Sequence, residues 1–169
     1  FWSTPYLGAN LDYLGLMART SYFIQLAECS VLALNSQLDS NEILNSDLTL
    51  HIQESFFIVG RESVSAYWQD ELTPLGPGAL IVGGVTAVEA HIEWRKRIIN
   101  ELHFGLFYDV GMVAIPSFDF DGAWGHGPGF GLRYNTPVGP LRVDVGYNPG
   151  ELCASTGRWH FFFAFGFSF

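Results

Sequence analysis

The sequence predicts an all-β fold, an antiparallel β-barrel that crosses a membrane with its strands. Apolar and polar residues alternate over segments of about ten residues, and turn-forming residues separate these segments. One face of each segment is continuously apolar, whereas the other carries Arg, Glu, Asp, His and many glycines. Strands of about nine to eleven residues are long for a soluble domain and suit a tilted passage through a bilayer.

Composition and charge exclude several other classes of protein. The length of 169 residues suits one domain, and the net charge of −9 argues against a nucleic-acid binder. Aromatic residues form 16% of the chain, which is more than a disordered chain carries. The chain contains no run of about 18 apolar residues, so no transmembrane helix is predicted. Because the opening residues 1–5 contain neither a start Met nor a signal pattern, we expect a processed or excised piece of a protein.

The alternation predicts seven strands. The two earliest have the least regular pattern, and Arg19 is a candidate for their polar face. The last is the most regular, because five phenylalanines at odd positions share one face. The first few residues of the chain are a candidate for the end of an eighth strand. The seven predicted strands cover residues about 14–24, 29–38, 85–97, 102–112, 129–134, 141–148 and 160–169.

The connections between the predicted strands alternate in length. Residues 97–101 and 136–140 are short connections, whereas 39–84, 116–125 and 149–158 are long. Transmembrane barrels place short turns on the periplasmic side and long loops outside. Cys29 then lies at a short-turn end and Cys153 in a long loop, so we expect no disulfide between them.

The sequence contains no catalytic, metal or cofactor motif. G-x-S-x-G, a P-loop, H-E-x-x-H and paired CxxC spacings are all absent. Residues 119–122 read DFDG but lack the remaining ligands of a calcium loop. We therefore predict a protein that is not an enzyme and uses no cofactor. Trp94, Trp124 and Trp159 are expected in the aromatic girdles at the membrane interfaces.

Five motifs resemble those of one family. Residues 127–144 read GPGFGLRYNTPVGPLRVD and closely resemble the penultimate hairpin of the BamA/TamA superfamily of outer-membrane assembly barrels. The loop sequence FFIVGRESVSAY at 56–67, the strand sequences HIEWR at 91–95 and FYDVG at 107–111, and the Phe-rich C-terminal strand are also similar, in the family's order. The resemblance covers nearly the whole chain, from about residue 14 to residue 169.

This resemblance implies a domain organisation. Barrels of the family have about sixteen strands, preceded by periplasmic POTRA domains. Residues 1–169 are then the C-terminal half of one outer-membrane barrel domain, with about seven to eight strands and no second domain. The long segment 39–84 corresponds to a loop that folds into the lumen of the barrel.

The resemblance also implies candidate site residues in the wall and in the loop. In the family, a loop Arg pairs with two inward carboxylates that match Glu93 and Asp109. Here Ser65 stands where the family has that Arg, and Ala66 where it has Gly. The cation is then Arg61 or the inward Arg95, or the loop is not held in the usual way; alternatively, water solvates both carboxylates. The candidate loop residues are Gly60, Arg61, Ser63, Val64, Ser65 and Tyr67.

The family's function is expected to depend on the barrel seam. Gly166, Phe167 and Phe169 lie in the terminal strand, where poor pairing with the first strand opens a lateral gate for client strands in the family. The implied function is non-enzymatic insertion, assembly or secretion of proteins at a bacterial outer membrane. The implied partners are the lipid bilayer, client outer-membrane or secreted proteins, and periplasmic proteins. Alternatives are the membrane anchor of a patatin-like lipase and a passive pore or surface antigen.

Overall fold

The computed structural model describes residues 2–3, 13–43, 83–137, 139–149 and 158–165, which form one antiparallel sheet. The eight strands follow chain order, and each is hydrogen-bonded to its neighbour in sequence. They are β1 (Trp2–Ser3), β2 (Tyr13–Ala27), β3 (Ser30–Ile43), β4 (Thr86–Ile99), β5 (Leu102–Ala114), β6 (Gly125–Thr136), β7 (Gly139–Tyr147) and β8 (Trp159–Phe165). Within these ranges no helix is long and apolar enough to cross a membrane.

The predicted all-β antiparallel fold is confirmed, and some strands extend beyond their predicted ends. β3 continues to Ile43, past the predicted end at Leu38, and β6 begins at Gly125 rather than Gly129. Both extensions are rich in polar residues or glycine, so they carry no apolar alternation. Pro128 lies inside β6, opposite Tyr108. The two-residue β1 is the additional strand expected at the start of the chain, and it pairs with the start of β2.

Short turns join neighbouring strands at one end of the strands. Residues 28–29 join β2 to β3, and Asn100 and Glu101 join β4 to β5, with Asn100 at a φ of 44°. Asparagine tolerates this left-handed conformation because its side chain is short and polar. The turns are tied to neighbouring strands, since Arg97 N donates to Cys29 O at 2.8 Å and Asn135 N donates to Glu101 O at 3.1 Å. The long connections therefore begin and end at the opposite ends of the strands.

The two faces of the sheet are inverted relative to a soluble protein. On the outer face large apolar side chains are exposed, with Phe163 at 61% and Phe161 at 72%. On the inner face charged side chains are buried, with Glu93 and Asp109 both at 0% exposure. Other exposed apolar residues of the outer face include Ile92, Leu106, Tyr108, Phe130, Leu132, Tyr134, Val143, Trp159 and Phe165. Burial thus agrees with the predicted orientation of apolar residues outward and charges inward.

Candidate functional site: a charge ladder on the inner face

The structure places three predicted site residues together on the inner face. Glu93 and Arg95 lie on β4, and Asp109 lies on β5 opposite His91. Both carboxylates are fully buried, while the Arg95 side chain is 41% exposed. The other predicted residues lie outside the described part of the chain: Gly60, Arg61, Ser63, Val64, Ser65, Tyr67, Gly166, Phe167 and Phe169.

Glu93 lies at the centre of the site and contacts cations from two strands. Its Oε2 atom accepts a hydrogen bond from Arg95 Nη2 at 2.7 Å. Its Oε1 atom lies 2.5 Å from Nη2 of Arg133 on β6. His91 Nε2 lies 3.5 Å from Glu93 Oε2 on the same strand. Because a buried carboxylate is costly without partners, these contacts offset the cost of burying Glu93 in the wall.

The contacts continue on both sides of Glu93. His91 Nδ1 contacts Asp109 Oδ1, so the imidazole bridges two carboxylates. Arg133 Nη1 lies 3.2 Å from Asp144 Oδ1 on β7, and Arg142 Nε donates to Asp144 Oδ2. These groups form one connected set across four strands, which we name the inner charge ladder: His91, Glu93, Arg95, Asp109, Arg133, Arg142 and Asp144.

Glycines on β5 and β6 leave space for the side chains of the ladder. Glu93 and Arg133 lie on β4 and β6, so they meet across β5 above Gly105. A Cβ atom at Gly105 would lie 2.6 Å from Glu93 Oε1 and 2.7 Å from Arg133 Nη1. A Cβ at Gly131 would lie 2.9 Å from Arg133 Nη1 and would also meet Asp144 Oδ1. Gly105 and Gly131 are paired with each other across β5 and β6. Both lie on the inner face, between the backbone and the side chains of the ladder.

The ladder brings groups of opposite charge together. It contains three carboxylates (Glu93, Asp109, Asp144), three guanidinium groups (Arg95, Arg133, Arg142) and one imidazole, and each carboxylate contacts at least one cationic or imidazole group. Removing one charged side chain from such a buried set strongly destabilises the folded state, because it leaves the charge of its partner uncompensated. Among the described residues no group of His, Cys, Asp and Glu side chains is arranged to hold a metal ion. The paired charges suit a rigid polar wall.

The wall supplies its own cations to the two predicted carboxylates. Arg95 contacts Glu93, as one of the sequence-based alternatives expected. His91 and Arg133 also contribute, although neither was among the predicted site residues. Their inward orientation follows from the alternation, but their contacts depend on the strand register and on the glycines. Glu93 and Asp109 are both 0% exposed in the described residues.

Comparisons with known proteins agree with the fold. The fold matches a structure titled "The crystal structure of BamA from Haemophilus ducreyi lacking POTRA domains 1-3", with a TM-score of 0.74 and 17% sequence identity. The match covers 91% of this chain and 35% of that chain, so the chain spans about a third of the length of that relative. No curated protein sequence matches the chain. Residues 2–169 match the Omp85 superfamily domain, and the chain therefore belongs to the Omp85 superfamily.

Proposed function

We propose that this chain is the C-terminal part of an outer-membrane barrel that inserts, assembles or secretes other proteins. Membership of the Omp85 superfamily and the fold shared with a BamA barrel support this proposal. The partners are the outer-membrane bilayer, client outer-membrane or secreted proteins, and periplasmic proteins. The whole of residues 1–169 is proposed to belong to one barrel domain, with the segment after β3 folding into the lumen.

The observation that carries the proposal is the inversion of the two faces. A sheet that exposes Phe161, Phe163 and Phe165 along one strand would be an aggregation-prone surface in water. The same surface is favourable against lipid hydrocarbon, where barrels present an apolar band. A barrel also encloses its inner face, so buried charges such as Glu93 and Asp144 need the partners that the ladder provides.

The proposed mechanism is non-catalytic and uses the lateral seam of the barrel. The terminal strand presents its Phe row to lipid, and glycine at position 166 weakens strand pairing. A weakly paired edge exposes backbone donors and acceptors, which act as a template for a client β-strand. The inner charge ladder has the opposite role, because it holds β4 to β7 in one register while the seam opens.

The ladder also bears on the loop that lacks the family's Arg. Because His91, Arg95 and Arg133 contact the buried carboxylates, the wall needs no cation from the loop to offset their charge. We therefore propose that Gly60, Arg61, Ser63, Val64, Ser65 and Tyr67 guide the loop without a salt bridge from position 65. Assembly activity is then compatible with serine at this position.

The test is reconstitution of the full-length protein in lipid vesicles, with an unfolded outer-membrane barrel as the client. The proposal predicts that client folding is faster than in protein-free vesicles, and that Gly166→Val slows it. Ala164→Val, which changes the same strand two residues earlier, is the matched control and leaves the rate unchanged. Client folding at the protein-free rate would overturn the assembly proposal. Phospholipid hydrolysis by the full-length protein in the same vesicles would instead favour the lipase-anchor alternative.

A further inference from the structure

The segment between β5 and β6 packs against the outer face of the sheet. We name residues 115–124 the outer strap. Phe118 N donates to Thr86 Oγ1 at 2.8 Å, and Thr86 Oγ1 donates to Pro116 O at 3.1 Å. Thr86 lies on the same face of β4 as the exposed Ile92, six residues away, because strand side chains alternate. The strap therefore lies on the side of the sheet that is otherwise apolar and exposed.

The strap covers polar and apolar groups of three strands. Ser40 on β3 contacts Thr86 with an oxygen–oxygen distance of 3.0 Å, and both residues are 0% exposed. Ser117 Oγ donates to Asn41 O at 3.0 Å, which ties the strap to β3. Met112 on β5 is also 0% exposed, and Gly122 of the strap lies against its Cε atom. The strap thus shields hydroxyl groups that would otherwise face outward at the end of the strands.

The outward side of the strap is strongly apolar. Ile115, Phe118, Phe120 and Trp124 are exposed at 56%, 48%, 46% and 37%. The Trp124 indole N–H is already satisfied within the strap, because it donates to Phe120 O at 3.3 Å. Four large apolar side chains exposed within ten residues are costly in water, and no described residue covers them.

The position of the strap matches the upper margin of the apolar band. Met112 lies ten residues along β5 from Leu102, which is next to the short turns. This is about 33 Å along the strand at ~3.3 Å per residue, or roughly 25 Å along the membrane normal for a strand tilted by about 40°. An apolar band about 25 Å tall with aromatic girdles at both edges is typical of outer-membrane barrels. The strap therefore lies at the level of the second girdle.

We propose that the outer strap is a membrane-interface anchor. It seats on Thr86 and Ser40 and inserts Ile115, Phe118, Phe120 and Trp124 between headgroups and acyl chains of the outer leaflet. Aromatic side chains favour this layer because their rings are apolar and their edges tolerate polar neighbours. The inference rests on the membrane orientation in the proposed function, and it adds a specific lipid contact on the outside of β3, β4 and β5.

Depth-dependent fluorescence in the full-length protein tests the anchor. All native cysteines, including Cys29 and Cys153, are replaced by Ser, and Phe118→Cys carries an environment-sensitive fluorophore in phosphatidylcholine vesicles with brominated acyl chains. Phe130→Cys, in the middle of the outer face, is the lipid control, and Glu101→Cys, in a short turn, is the water control. The proposal predicts a blue-shifted emission at position 118, quenching by brominated lipid and loss of iodide quenching relative to Glu101.

A second variant tests the seat of the strap. Thr86→Val removes the hydroxyl that is hydrogen-bonded to the strap. The proposal therefore predicts that brominated lipid quenches less at position 118 and equally well at position 130. Ser40→Ala, which keeps Thr86, gives a smaller loss and serves where T86V does not fold, as judged by heat-modifiable migration. Iodide quenching at 118 equal to that at 101, with lipid quenching retained at 130, would overturn the anchor alone. Water exposure at both 118 and 130 would overturn the proposed function as well.

Discussion

The inner face is built differently in β4–β7 and in β2–β3. In β4–β7 the charge ladder is buried, and Glu93 and Asp109 have no exposed surface. In β2 the inner positions include Phe23 and Met17, which are 61% and 58% exposed. Arg19 Nε donates a 2.9 Å hydrogen bond to Gln37 on β3. The difference follows the described neighbours of each strand: β4 to β7 each lie between two described strands of seven residues or more, whereas β2 has β3 on one side and the two-residue β1 on the other.

Removing an arginine should therefore have very different effects in the two regions. Arg133→Met leaves the buried Asp144 and Glu93 each short of a cation, which should lower the free energy of unfolding by about 3–5 kcal/mol. Arg19→Met removes one exposed hydrogen bond and should produce no measurable change. Denaturant unfolding of the full-length protein in vesicles measures both. Equal losses in the two variants would show that the ladder does not stabilise the wall.

The outer faces of the two regions should behave alike. Phe130→Arg on β6 and Tyr22→Arg on β2 both place a charge on an exposed apolar face, where the residues are 44% and 63% exposed. A charge near the middle of the lipid-facing band costs about 2–4 kcal/mol, falling toward the interfaces. Unfolding in vesicles should show a loss for both variants. A loss at Phe130 but none at Tyr22 would mean that β2 does not face lipid.

A larger side chain under the ladder should be harmful only in β4–β7. Gly105→Val places carbon atoms within van der Waals distance of Glu93 and Arg133, and overpacking of this kind costs about 1–3 kcal/mol. Ser21→Val enlarges a side chain at an exposed inner position of β2 and should be neutral. The unfolding midpoint in the same vesicles decides between the two. A neutral Gly105→Val variant would mean that the glycine is not needed for the contact across β5.

The smallest effect is expected at the loop position where the family has Arg. Ser65→Arg should leave the client folding rate unchanged, because His91, Arg95 and Arg133 already contact the two buried carboxylates. The measurement is the vesicle assay of client folding, with Ser63→Arg as a matched control. A marked increase in rate for Ser65→Arg alone would show that the wall cations do not substitute for a loop cation.

The strands with strong alternation could be predicted closely from the sequence. β4 and β5 begin within one residue of their predicted starts, at Thr86 and Leu102. β6 begins earlier than predicted because Gly125, His126 and Gly127 carry no apolar signal, although they pair with β5. β3 extends through a polar stretch up to Ile43 for the same reason. Hydrophobic periodicity in the sequence therefore predicts only the part of a strand that has an apolar face.

The candidate site could be predicted only in part. Glu93 and Asp109 are candidates because they match the family's inward carboxylates, and Arg95 is a candidate because the alternation turns it inward. His91, Arg133, Arg142 and Asp144 lie on the same face by alternation, but no local motif shows that Arg133 reaches Glu93 across an intervening strand. That contact depends on the register of three strands and on the missing side chain at Gly105. Cross-strand information of this kind is absent from any single segment.

Spin-label scanning along β6 tests the central claim most directly. Single nitroxide labels at Phe130, Leu132 and Tyr134, in the full-length protein in vesicles, are exposed in turn to oxygen, which concentrates in lipid, and to a water-soluble nickel complex. The account predicts high oxygen and low nickel accessibility at all three positions, and the reverse for a label at Glu101 in the short turn. High nickel accessibility at the three apolar positions would place them in water and contradict the account.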